Sequence, residues 1–172
     1  MVWSIVMGPL RELFATDDRQ TLEFFVLGLQ DVSEAAVDRQ ELLYNASVLA
    51  HYAQVSTRGN IDWPAPENLS VVFDHFVANA ALLRDAHMIE TAGAQCLLLT
   101  GFFEDQMRGR HSIRWYAELG AGFFRRAAMH APSPPKARLL DILANRFEPW
   151  RQRHARLSRE LRDRRYLLVP PA

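Results

Sequence analysis

From Cys96 to Phe103, only Thr100 and Gly101 interrupt a run of apolar side chains. The run lies inside a longer stretch, Asp85 to Met107, in which Met88, Ala92, Gln95, Leu99 and Phe103 share one helical face. A helix that is apolar on every side belongs in the interior, wrapped by other elements. The 85–107 segment is therefore expected to be the buried centre of the fold.

Helical spacing recurs on both sides of it. Asp17 or Asp18 is placed to cap a short helix with Leu22, Phe25, Val26 and Leu29 on one face. Ser33 is placed to cap a longer one, from Glu34 to about Ser56, with a stripe of Leu42, Ala46, Leu49 and Ala53. Thr57 to Pro66, with Gly59, Asn60, Pro64 and Pro66, reads as a loop. Asn68 to about Leu83 carries an apolar face of Leu69, Val72, Phe73, Phe76, Val77, Ala80 and Leu83. Ser112 is placed to cap a helix running to about His130, along which Tyr116, Gly120, Phe123 and Ala127 line one face. Gly120 and Gly122 weaken that helix, so both are expected at a close helix crossing. Ala131 to Pro135 reads as a rigid linker, and a last helix is expected from near Lys136, kinked or broken by Pro149. No alternating run of strand length appears.

The expectation is all-α: about six helices in a bundle-like or orthogonal array around the central one. Residues 1–148 form its core, and the Arg-rich helix and tail of residues 149–172 belong to the same domain. A chain of 172 residues is long enough to bury a real core without disulfides or metals. Its one cysteine, Cys96, sits in the apolar run and reads as a buried thiol. No apolar stretch approaches the ~20 residues of a spanning helix, and the start, Met1 to Met7, lacks the basic lead of a signal peptide. A cytoplasmic location is expected. One lysine among 20 basic residues points to a GC-rich bacterial genome.

The segment Cys96-Leu97-Leu98-Leu99-Thr100-Gly101-Phe102-Phe103, followed by Arg114-Trp115-Tyr116-Ala117-Glu118-Leu119-Gly120, resembles a pattern from an uncharacterised bacterial all-helical family. There a buried helix ends in Leu-x-Gly-Phe-Phe and the next opens with an aromatic pair and a glycine. The likeness spans residues 83–128. These are packing motifs, so the resemblance implies a fold and carries over no functional residue.

The chain is neutral overall but its charge is divided. Residues 1–107 hold 5 basic and 15 acidic side chains; residues 108–172 hold 15 basic and 5 acidic. One consequence is that the halves neutralise each other within the chain. The other is a basic surface that takes an acidic partner. Arg151, Arg153, Arg156, Arg159, Arg162, Arg164 and Arg165 crowd the C-terminal helix. They are the candidate partner-binding residues, for a protein or a second copy of the chain. Nucleic acid is possible, but no reading motif supports it.

Chemistry-bearing motifs are sparse. The nearest approach to a di-iron Glu-x-x-His pair is reversed, His87-Met88-Ile89-Glu90, and has no second copy. His51, Asp74, His75, Glu90 and Glu104 lack recognised metal-ligand spacing, so neither metal nor cofactor is expected. Glu90, on the helix expected to be most buried, needs a partner, and an arginine of the basic half is the candidate. Alternatively Glu90 and His87 form an acid/base pair in a cleft. No Gly-x-Ser-x-Gly element or phosphate loop is present. The sequence thus leads first to a non-enzymatic helical interaction or accessory protein, able to self-associate. The alternative is a small helical enzyme or cofactor binder using Glu90 and His87.

Overall fold

The computed structural model describes residues 18–59, 86–109 and 111–163, and every element among them is helical. In chain order these are α1 (Asp18–Asp31), α2 (Arg39–Gly59), α3 (Ala86–Leu97), a π turn (Leu98–Phe102), α4 (Glu104–Met107), α5 (Ile113–Met129), α6 (Pro134–Asn145) and α7 (Phe147–Asp163). The fold is all-α. The expected helix over 68–83, and Arg164 and Arg165, lie outside the described residues. The chain divides into two compact units, Met1–Trp63 with Arg153–Ala172, and Pro64–Gln152. The first turns of α7 therefore count with the second unit and the rest with the first.

In the first unit α1 packs against α2. Phe25 and Leu29 of α1 and Leu42, Ala46, Leu49 and Ala53 of α2 are buried, as their spacing requires. The cap of α2 differs from expectation. Asp38 Oδ2 accepts from the backbone N–H of Gln40 at 3.0 Å and of Glu41 at 3.2 Å, satisfying donors that the first turn leaves open. Ser33 instead donates to the Leu29 carbonyl at 2.7 Å, closing α1. Helix α2 continues to Gly59, into the stretch read as a loop.

In the second unit α3 and the π turn form the core. Ile89, Cys96 and every residue from Leu97 to Phe103 are buried, which is the central position expected of this segment. The regular helix does not run through, however. Phe103 N–H bonds the Leu98 carbonyl five residues back, at 3.0 Å, so the chain widens by one residue here. The glycines divide. A Cβ on Gly120 would lie 2.6 Å from Cys96 Cβ and 2.6 Å from Phe147 Cζ, whereas one on Gly122 would meet nothing within 4 Å. Gly120 marks the close crossing of α3 and α5; Gly122 does not. Gly93, on the facing helix, has the Phe124 ring at 3.2 Å from the same construction.

Ser112 caps α5 as expected, its Oγ accepting from Trp115 N–H at 3.2 Å. Ser133 caps α6 in the same way. Pro134 and Pro135, read as linker, are the first two residues of α6, where no N–H partner is needed. Pro149 acts as expected, by breaking the pattern. It has no N–H to give the Asn145 carbonyl, and its ring would clash there. So α6 ends at Asn145 and α7 restarts at Phe147, with Pro149 in its first turn.

Candidate functional site: a charge-paired cleft

The second unit carries an open cleft of about 720 Å³. Its apolar wall is short-chained: Ile113, Ala117 and Ala121, spaced four apart on α5, with Ala144 from the end of α6 and Phe147 from α7. Its polar side comes from Glu104 and Arg108 at the two ends of α4, Arg114 and Glu118 on α5, and Glu148 and Arg151 on α7. Three glutamates thus meet three arginines.

Arg151 organises the floor. Its side chain is 11% exposed. Nη1 donates to Glu104 Oε2 at 2.9 Å and to the Thr100 carbonyl at 2.9 Å. Nε and Nη2 donate to the two oxygens of Glu148 at 3.0 and 2.5 Å. A nearly buried guanidinium is tolerated only when its donors find acceptors like these. The π turn supplies one of them, a backbone carbonyl reached by a side chain within the helical ladder. Arg108 completes the row by bonding Glu104 Oε1. Hydrogen bonding from Arg151 holds the Glu148 carboxyl below its ordinary range, and Glu148 holds the Arg151 guanidinium above its own.

The sequence-derived candidates are dispersed. His87 is exposed on the first turn of α3. Glu90 is half-buried and accepts from Lys136 Nζ at 3.1 Å, so its partner from the basic half is the one lysine rather than an arginine. Neither residue lines the cleft. Among the described candidate arginines of the C-terminal helix, Arg151 alone does. Arg156 belongs to the first unit, where it pairs with Glu34 at 3.3 Å and donates to the Val32 carbonyl at 3.3 Å. Arg153 and Arg162 are half-buried and Arg159 is exposed. Glu90–Lys136, Glu104–Arg151 and Glu34–Arg156 each join the acidic half of the sequence to the basic half.

A second buried polar pair escaped the sequence reading. In the first unit His154 Nε2 lies 2.9 Å from Asn45 Oδ1, and both residues are fully buried. Among the described residues His154 Nδ1 has no hydrogen-bond partner, and burial pushes the imidazole pKa down to about 3. The ring is therefore neutral. Cys96 is buried and its thiol is pushed up by desolvation, as its apolar neighbours imply. Among the described residues no three His, Cys, Asp or Glu side chains gather as a metal-ligand set. No helix among them is long and apolar enough to cross a membrane.

Fold and site together define an all-α protein with a preformed, charge-paired cleft. Compared with protein-family models, curated proteins and solved structures, the chain matches none of the three.

Proposed function

We propose that this chain is a non-enzymatic interaction protein whose cleft in the second unit docks a short segment of a partner protein. The observation that carries this is the cleft's construction: an alanine-rich strip on α5 beside side chains held by ion pairs. Alanines at four-residue spacing let another backbone approach closely, and the paired charges give a fixed polar edge that sets its register. The same pairing weighs against Glu148 as a general acid. Arg151 keeps Glu148 ionised, whereas a general acid needs a carboxyl that holds its proton near neutral pH.

The test blocks the cleft without touching the core. Glu118, 67% exposed at the cleft edge, accommodates Glu118→Trp, and the indole would cover the alanine strip. Peptides selected from a random displayed library on the native protein should lose binding to Glu118→Trp, with circular dichroism showing the variant folded. If the selected peptides bind both proteins equally, the cleft is not the docking site.

A further inference from the structure

The cleft has equal numbers of acidic and basic side chains, but its hydrogen-bonding capacity is unequal. Both oxygens of Glu104 are occupied, one by Arg108 and one by Arg151. Both oxygens of Glu148 accept from Arg151, and one also accepts from Gln152 at 3.2 Å. These two carboxylates are engaged inside the protein. The arginines at the mouth are not. A guanidinium carries five N–H donors. Among the described residues Arg108 bonds only Glu104, through Nη2, and Arg114 bonds only Glu118, through Nε at 3.3 Å. Their side chains are 66% and 91% exposed. The mouth therefore has donors to spare where Glu104 and Glu148 are used up, and the apolar residues Ile113, Ala117 and Ala121 share α5 with Arg114.

We infer that the cleft selects a partner segment carrying an acidic side chain beside small apolar ones, with Arg108 and Arg114 receiving the carboxylate. The inference rests on the docking role proposed above and names the chemistry of what docks. A carboxylate at the mouth takes the free edges of the two guanidinium groups in the paired geometry that arginine favours. The apolar neighbours of that side chain lie against Ile113, Ala117 and Ala121. A basic segment meets the opposite situation: the two arginines repel it, Glu104 and Glu148 are already engaged within the protein, and Glu118 is shared with Arg114.

The peptides recovered from the library decide it. Those that bind the native protein and fail on Glu118→Trp should be enriched in Asp or Glu next to Ala, Val or Leu. In fluorescence anisotropy, Arg108→Gln/Arg114→Gln should weaken such a peptide about tenfold or more, the scale of one charge-assisted hydrogen bond. Glu→Gln in the peptide should do the same, and added salt should weaken the native complex. Arg114→Glu, a change at a nearly fully exposed position, repeats the test should the double variant not fold. Cleft-dependent peptides that lack acidic residues, or that bind the arginine variants unchanged, would overturn this inference and leave the docking role standing. Recovery of no cleft-dependent peptide would overturn both.

Discussion

Two buried polar groups three residues apart on α7 are handled in opposite ways. Arg151, in the second unit, keeps its charge: it retains slight exposure and has two carboxylates and a carbonyl around it. His154, in the first unit, is wholly buried, has one amide partner and is neutral. A charge survives burial only where acceptors replace the lost water; a titratable ring without them gives up its proton. The second unit is thus held partly by charges that must stay, and the first by a ring that must stay uncharged.

The comparison breaks most visibly at Arg151. Arg151→Met would leave Glu104, nearly buried, with Arg108 alone and the Thr100 carbonyl without this donor, and should cost about 3–5 kcal/mol in urea unfolding. A loss below about 1 kcal/mol would mean that the carboxylates reach water and that the charged floor is only a surface network.

The glycines test whether the units also differ in packing. Gly120→Ala drives a Cβ against Cys96 Cβ and the Phe147 ring, and should cost about 1–3 kcal/mol. Gly28→Ala in the first unit meets the end of the Leu157 side chain at 2.8 Å, which can turn aside. Its cost should stay within about 1 kcal/mol of zero, because alanine also favours the helix. Similar losses at both positions in denaturant titrations would show the first unit to be as tightly packed as the second.

A third test of the comparison is one of pH. The folded chain keeps His154 neutral down to about pH 3, whereas the unfolded ring protonates around its ordinary 6.5. Stability from this group is complete above the ordinary value and is lost as pH falls from there toward the folded one. By about pH 5.5 the loss should be about 1.4 kcal/mol. Glu148, whose pKa is lowered from 4.5, starts to lose its contribution only as pH nears that value, so the first unit begins to respond to acid before the second. Unfolding at neutral pH and about pH 5.5 should show a smaller difference for His154→Gln than for the native chain. Equal differences would assign the acid sensitivity elsewhere.

Much of this architecture could be read from spacing. The stripes of α1, α2 and α5, the buried run ending at Phe103 and the break near Pro149 follow from local periodicity and proline chemistry. The π turn did not, because an apolar run buried on all sides looks the same with or without an extra residue per turn. The α2 cap was misplaced because Ser33 and Asp38 are both good capping residues and the apolar pattern between them is weak. The cleft depends on Glu104 and Arg151, 47 positions apart, and no local pattern joins them. A usable signal was present in α7 all the same. Phe147, Trp150, Arg151, His154, Leu157, Ser158 and Leu161 are all buried and recur at helical spacing. Two members of that set, Arg151 and His154, carry titratable groups within an apolar face. Reading the arginine run as partner-binding residues conceals Arg151, which is directed inward.

Cys96 also makes the protein convenient to label. The chain's single thiol is sealed in the core and has little tendency to ionise, so maleimides and iodoacetamides, which attack the thiolate, have no native target while the fold is intact. A cysteine introduced at Met129, 80% exposed at the end of α5, would be the sole reactive handle for a fluorophore or spin label. Modification of Cys96 itself would then report unfolding.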